Sequence, residues 1–390
     1  MDVQNEASKE HQSSSTQSVP KTDEKPTVNE IEIKSLSVNN TNPHSLLHEG
    51  FHWDSLDLDD PLMLQELYTF LNEHYVEDAD SLFRFDYPPN LLKWALQPPG
   101  WLKDWHYGVR TAKNGGLIGF VSAIPVTLRI YNRIQKMVNI SFLCVHKDHR
   151  SKKVAHMLIQ ELTRRVNEAG ILHAIFTTGE VLLNPVGSNK YWHRPLNTEK
   201  LIEINFMQVS NKMTKQDMVK RYQLPCCSRT PGFRKLTADD VPQAHRLLTD
   251  YLSRFDLVPL FTREEFCHWF LPQSGIIDSF IVENDGNITD MVSFYTLPAT
   301  IIQHPTHRTL KIAFSFYNVS TKTSWGDLMQ DTLIYASNAG IDVFNASDAM
   351  ENEKFLKTLK FGMGDGTLRY FLFNWVCAPV ASNKIGLIVP

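Results

Sequence analysis

The sequence predicts an α/β fold in two units, and three observations carry that expectation. The chain has 390 residues, more than one hydrophobic core usually organises. Residues 136–177 read as strand, amphipathic helix and strand, and residues 311–345 read in the same order. Such alternation is the local mark of helices layered on a sheet. A second unit starts after Cys226-Cys227-Ser228-Arg229-Thr230-Pro231-Gly232, although no repeat relates the two halves by sequence.

Residues 1–45 contain no Phe, Trp or Tyr and are dominated by Ser, Thr, Gln, Asn, Lys and Glu. Such a segment buries too little apolar surface to offset its ordering entropy, which predicts a disordered polar tail. Aromatics begin at Phe51 and Trp53, so the units are expected over 46–225 and 226–390. In the first, Leu64, Leu67 and Leu71 at helical spacing follow the helix-starting Asp60-Pro61, predicting a helix over 62–72. Residues 109–128 read as a hairpin turning at Asn114-Gly115-Gly116. A strand over 136–145 then runs into a helix with Val154, Leu158, Leu162 and Val166 on one face, stopped by Gly170, before a strand over 171–177. In the second unit Leu236 to Pro242 looks like a capped helix start. Strands over 279–283, 290–296 and 311–319 follow, then a helix over 326–338 and closing strands over 342–345 and 368–374.

Composition narrows the function classes. With 42% hydrophobic and 21% charged residues the chain is an ordinary globular one. A net charge of -4 gives no reason to expect nucleic acid, which needs a basic face. No stretch approaches the roughly 20 apolar residues of a membrane span, and Met1-Asp2-Val3-Gln4 opens no secretory signal. Five cysteines, two of them adjacent, suggest neither a disulfide framework nor a zinc site. A reduced, cytoplasmic protein is the expectation.

The joint between strand 136–145 and the next helix carries the most chemistry. A helix N-terminus offers unpaired N–H groups and partial positive charge, and Arg150, Lys152 and Lys153 would add charge for a pyrophosphate. By composition alone a solvated basic helix start is the commoner explanation, and no glycine-rich phosphate loop argues otherwise. Likewise Tyr75 to Tyr87, mixing acids with aromatics, reads unaided as a solvated acidic loop beside a core strand. In Lys360-Phe361-Gly362-Met363-Gly364-Asp365-Gly366, Gly362 reads as a helix cap and Asp365-Gly366 as a tight turn. The segment follows a helix, so it is no dinucleotide fingerprint. The last residues, Lys384 to Pro390, form an apolar tail that could simply close a sheet.

Taken together, these motifs resemble those of the protein N-myristoyltransferases (glycylpeptide N-tetradecanoyltransferases) over nearly the whole folded length. Phe142-Leu143-Cys144-Val145-His146-Lys147 followed by Arg150-Ser151-Lys152-Lys153 matches the family's first signature, Lys360 to Gly366 its second, and Tyr75 to Tyr87 its acidic-aromatic run. The resemblance implies two fused acetyltransferase-like (GNAT-type) lobes in a pseudo-twofold arrangement. It implies transfer of myristate from myristoyl-CoA, a co-substrate, to the N-terminal glycine of proteins with Ser or Thr near position 6, with no prosthetic group and no metal.

Carried over by the resemblance, the backbone N–H groups of Phe142 and Leu143 form an oxyanion hole. Cys144, Val145, Arg150, Ser151, Lys152, Lys153, Val154 and Ala155 complete the acyl-CoA site. The peptide groove would take Tyr75, Val76, Asp78, Asp80, Phe83, Arg84, Phe85, Tyr87, Thr177, Gly179, Tyr191, His193, Tyr295, Asn345, Asp365 and Leu368. Asp78, Asp80 and Asp365 would meet a substrate lysine, and Thr177 the incoming amine. The carboxylate at Pro390 would be the base. Cys144 is left to packing, because the family attacks the thioester directly. Peripheral association with a membrane or the ribosome is compatible with such a role.

Departures from the family pattern cluster at ligand contacts. Ser13 and Ser14 replace an aromatic pair over the CoA, Asn139 a glutamate, Ser141 an asparagine near the amine, His156 a proline and Phe314 a groove tyrosine. They raise a second reading, that of a weakly active or non-catalytic relative that binds acyl-CoA or glycine peptides.

Overall fold

A computed structural model of the chain describes residues 47, 50–76, 82–209, 213–302 and 304–390. The predicted polar tail of residues 1–45, with Ser13 and Ser14, lies outside the described residues, as do Asp78 and Asp80. In chain order the first half carries β1 (Phe51–Ser55), α1 (Pro61–His74), β2 (Phe83–Phe85), α2 (Pro89–Leu96), β3 (His106–Thr111), β4 (Leu117–Ile130), β5 (Arg133–Val145), α3 (Val154–Glu168), β6 (Ala174–Thr178), β7 (Gly187–Pro195), α4 (Thr198–Glu203) and α5 (Lys215–Tyr222). The second half carries β8 (Phe233–Lys235), α6 (Val241–Leu252), β9 (Leu257–Pro259), α7 (Arg263–Phe270), β10 (Ile277–Asn284), β11 (Asn287–Thr296), β12 (Ala299–Ile301), β13 (Thr309–Leu310), β14 (Ile312–Val319), α8 (Trp325–Asn338), β15 (Val343–Ser347), α9 (Glu353–Leu356) and β16 (Gly362–Phe373).

Local chemistry explains where the helices start and which face they bury. Asp60 caps α1 by accepting the Leu62 N–H at 2.9 Å, with Pro61 at the first helical position. Its buried stripe is Leu64, Leu67, Phe70 and Leu71, each side chain contributing about 1.5–3 kcal/mol. In α3 the expected face, Val154, Leu158, Leu162 and Val166, is buried, and Met157 joins it.

Among the described residues, β1-β3-β4-β5-β6-β16-β7-β15-β14-β11-β10-β8 run side by side in one sheet, with β9 paired to β4. The two halves repeat one pattern. In the first, β3, β4 and β5 are antiparallel neighbours and α3 crosses over to β6, parallel to β5. In the second, β10, β11 and β14 are antiparallel neighbours and α8 crosses over to β15, parallel to β14. The halves then exchange strands: β7 of the first pairs with β15 of the second, and β16 of the second pairs with β6 of the first. These exchanged strands pair with each other at the centre. One buried cluster runs across both halves, holding Leu71 and Phe142 together with Phe316 and Tyr317. The predicted two-lobed α/β arrangement is thus present, with one buried cluster shared by both halves and three others beside it.

Four expectations need correction. The last strand does not begin at residue 368: β16 starts at Gly362, so the glycine-rich signature is strand. Gly362 caps no helix, since α9 ends at Leu356 and the left-handed turn falls on Lys360, φ 62°. Asp365-Gly366 is no hairpin turn but part of a bulge between Met363 and Thr367, where β16 slips against β7. Pairing with β7 on both sides of the bulge overrides the turn propensity of the glycines. The apolar tail forms no strand either: Ile385 bridges Leu257, the chain is buried through Leu387, and Ile388, Val389 and Pro390 are half-buried.

Candidate functional site

The site assembles where β5 breaks its ladder. Phe120 faces Cys144 and Ser122 faces Ser141, so two residues, Phe142 and Leu143, oppose Val121. Such a bulge leaves backbone groups outside the sheet's hydrogen bonds. Phe142 takes φ 53°, a left-handed conformation uncommon for a bulky residue. Its ring is buried, whereas Leu143 reaches the surface. The wholly buried Ser122 pins this break from β4: its Oγ donates to the Ser141 carbonyl at 3.0 Å and lies 3.1 Å from the Ser141 Oγ. Burial pushes the hydroxyl of Tyr75, whose ring lies beside that of Phe142, up to about 12.

Beyond the bulge, Cys144 and Val145 turn into the core, and burial pushes the Cys144 thiol up to about 12. A tight turn over Lys147–Lys152 follows, and Lys153, at φ 56°, redirects the chain into α3. Arg150, Ser151, Lys152 and Lys153 are exposed at that helix start. Arg150 bonds only carbonyls in the described residues, His74 O at 2.7 Å and Val145 O at 3.3 Å. The turn is therefore anchored without carboxylate neutralisation of its guanidinium. Val154 is wholly buried, which leaves only its backbone for the helix N-terminus, while Ala155 is half-buried and His156 exposed.

An aromatic chain leads from the bulge into the second half. Phe142 touches Tyr75 (5.6 Å between centroids) and Tyr87 (5.2 Å); Phe85 links Tyr87 to Phe314; and Phe314 stacks on Tyr295 at 5.3 Å and meets Tyr191 edge-on. Phe83, Arg84 and Phe85 are held by pairing of β2 with β12. Tyr191, Tyr295, Phe314, Asn345 and Leu368 line one small cavity, together with Ser347 and Tyr370. Burial raises the Tyr191 hydroxyl to about 12 and those of Tyr87, Tyr295 and Tyr370 further. These hydroxyls therefore stay protonated and able to donate. His193 Nδ1 donates to Asn345 Oδ1 at 2.7 Å, joining β7 to β15. Its ring also meets Phe206, which in turn contacts Phe83.

The C-terminal residues border this cavity. Tyr370 Oη donates to Leu387 O at 2.9 Å, and the Ile388 N–H donates to Tyr317 Oη at 3.1 Å. Ile388 lines the aromatic cavity and also a second one of about 50 Å³, whose lining includes Pro390, Asn139, Glu265 and Trp269. Asn139 is buried, and its Oδ1 has no partner among the described residues. Four other predicted residues line neither cavity. Thr177 on β6 pairs with Tyr370, Gly179 O accepts from Arg369 at 2.6 Å, and Val76 and Asp365 are exposed. Sequence reasoning missed Phe206, Tyr370, Ser347 and Trp269. Only Phe206, the aromatic in the partly apolar run Ile204-Asn205-Phe206-Met207-Gln208-Val209 after α4, carried a local signal.

Comparison with known proteins agrees with this geometry. The N-terminal domain of the myristoyl-CoA:protein N-myristoyltransferases matches residues 30–189, and the C-terminal domain matches residues 203–387. The glycylpeptide N-tetradecanoyltransferase of Drosophila melanogaster is 54% identical over 378 residues, covering 96% of this chain and 80% of that protein. Glycylpeptide N-tetradecanoyltransferase 2 of Danio rerio is 53% identical over 376 residues, 96% of this chain and 76% of the relative. Among solved structures, Saccharomyces cerevisiae N-myristoyltransferase with bound myristoyl-CoA superposes with a TM-score of 0.89 at 39% identity, covering 97% of this chain and 99% of that one. The chain belongs to the myristoyl-CoA:protein N-myristoyltransferase family.

Proposed function

We propose that this protein transfers myristate from myristoyl-CoA to the N-terminal glycine of other proteins, and that the β5 bulge is its catalytic centre. The observation that carries the reading is the juxtaposition of that bulge with a basic helix start on one side and a tyrosine-lined groove on the other. The Phe142 and Leu143 N–H groups receive the thioester oxygen as it gains charge, a term worth about 2.7–4 kcal/mol per donor in acyl transfer. Arg150, Ser151, Lys152 and Lys153, with the backbone of Val154 and Ala155, hold the CoA phosphates.

The glycine amine approaches from the groove formed by Tyr75, Val76, Phe83, Arg84, Phe85, Tyr87, Gly179, Tyr191, His193, Tyr295, Asn345 and Leu368, with Thr177 beside the nitrogen. Such an amine is mostly protonated at neutral pH, with an ordinary pKa of about 7.7–8.0. The carboxylate of Pro390, in the cavity next to the groove, takes its proton. The free amine attacks the thioester carbon and a tetrahedral oxyanion forms; as the C–S bond breaks, the second proton on the nitrogen passes to the thiolate, so that CoA leaves as its thiol and the neutral amide remains. Cys144 stays a buried thiol and takes no covalent part. Asp365, together with Asp78 and Asp80, selects a lysine downstream of the glycine. In this reading residues 46–225 hold the acyl-CoA and residues 226–390 supply most of the peptide site. Work on newly exposed N-terminal glycines places the protein in the cytoplasm, where peripheral contact with membranes or ribosomes would bring its substrates within reach.

The test is CoA release from myristoyl-CoA with a Gly-x-x-x-Ser-Lys peptide, against the same peptide with its amine blocked. Release with the free amine alone is expected. Tight thioester binding without release would overturn the catalytic reading.

A further inference from the structure

Three imidazoles crowd the basic turn. His74 ends α1, His146 precedes the turn and His149 lies within it; the His74 and His146 ring centroids are 4.0 Å apart, and those of His146 and His149 5.3 Å. Phe51 of β1 closes on His149 edge-on at 5.9 Å. The Arg150 guanidinium donates to the His74 carbonyl at 2.7 Å, so the end of α1 and the turn form one body. The Nδ1 atoms of His74 and His149 are both buried without a hydrogen-bond partner among the described residues.

We propose that His74, His146 and His149 belong to the phosphate subsite of acyl-CoA, and that binding of the pyrophosphate there is coupled to proton uptake by His74 and His149. The inference rests on reading the basic turn as the CoA site. Lys147, Arg150 and Lys152 of the turn, with the neighbouring imidazoles, set the field around the cluster. Opposing them are two acids. Glu73 of α1 lies 3.7 Å from His74 Nε2 and Asp148 of the turn 3.9 Å from His146 Nδ1, but their side chains are 63% and 83% exposed. Carboxylates in that much water screen weakly. From β1 the Phe51 ring faces the cluster.

Burial first, then His146, Lys147 and Arg150 against the opposing Glu73, holds His74 below the usual histidine value of 6.5. Burial, with Lys152 and His146, does the same for His149 despite Asp148. Both imidazoles are therefore mainly neutral near pH 7 in the free protein. A pyrophosphate brings negative charge that does not titrate in this range and favours the protonated rings. Its binding raises their pKa values, so protons enter with the ligand and affinity grows as pH falls through the interval between free and bound values.

Isothermal titration with dephospho-CoA tests this, because that ligand lacks the 3′-phosphate, whose own second ionisation near pH 6 would confuse the count. Titrations at about pH 6 and about pH 8, in buffers of different ionisation enthalpy, read the protons exchanged. Expected are proton uptake at the lower pH, little at the higher, and binding tightened several-fold between them. In a His74→Asn/His149→Asn double variant both effects should shrink. Dephospho-CoA bound without proton uptake would overturn this inference and leave the CoA reading standing; no binding at either pH would overturn both. Should the double variant fold poorly, NMR titration of the imidazole C–H resonances in the unaltered protein serves instead. Their midpoints must rise when dephospho-CoA is added, and midpoints that stay put refute the coupling.

Discussion

Two glycines of one motif offer a sharp test of the groove. A Cβ added at Gly364 would sit 2.2 Å from His193 Nε2, 2.8 Å from its Cδ2 and 3.2 Å from the Tyr191 carbonyl. At Gly366 the nearest atoms are Tyr191 Cδ2 at 3.6 Å and Cβ at 3.9 Å, ordinary contacts. Neither glycine has positive φ, so backbone strain does not enter and the comparison is purely steric. His193 cannot swing away freely, because Nδ1 is bonded to the buried Asn345 and the ring abuts Phe206. Displacing the ring leaves the Asn345 oxygen unsatisfied at about 1–3 kcal/mol. Keeping it forces overpacking of similar size. Gly364→Ala should therefore lose about 1–3 kcal/mol at the groove, a rise of roughly 5- to 150-fold in peptide KM. The KM for myristoyl-CoA should hold, and Gly366→Ala should behave as the parent. Steady-state CoA release across both substrates reads all three quantities, with a thermal melt to show that the variant is folded. A folded Gly364→Ala protein with unchanged peptide KM would refute the assignment of His193 and Asn345 to the peptide groove.

Two further outcomes follow from the bulge and its neighbours. Ser122→Ala removes the hydroxyl that pins the Ser141 carbonyl, an interaction of about 0.5–1.5 kcal/mol. It should lower kcat about three- to tenfold with both KM values unchanged, whereas Ser122→Thr should recover most of the loss; a lowered melting temperature with intact kcat would show that the contact is only structural. Iodoacetamide near pH 8 should label the exposed Cys226 and Cys227 and spare Cys144, as peptide mapping would show. Labelling of Cys144 in the folded protein, with loss of activity, would contradict its burial and reopen an acyl-enzyme route.

What the sequence made legible was local. The apolar stripe of α3 and the Asp60-Pro61 start of α1 are read directly from spacing and capping chemistry. The strand at 362–367 was hidden because its glycines favour turns in isolation, and only pairing with β7, far away in the chain, makes them strand. Exchange of β7 and β16 leaves no local trace at all. At the site, motif resemblance pointed to Phe142 and Leu143, but nothing in a phenylalanine announces a left-handed φ. That conformation follows from the count of residues between two ladder pairs, 120–144 and 122–141. The shared cavity of Asn139 and Pro390 is likewise set by the tail's path past Tyr370 and Tyr317, a tertiary fact.

The exchanged strands also bear on how the molecule is made. β6 ends at Thr178 and its partner β16 begins at Gly362, so the edge of the first half stays open until almost the whole chain has left the ribosome. At synthesis rates of about 5–20 residues per second that wait lasts roughly 10–40 s. During it Ala174 to Thr178 present unpaired N–H and C=O groups, the kind of edge that recruits foreign strands. A nascent first half is therefore a natural client for chaperones. Cutting the chain between the halves should yield two aggregation-prone fragments that recover solubility only when produced together.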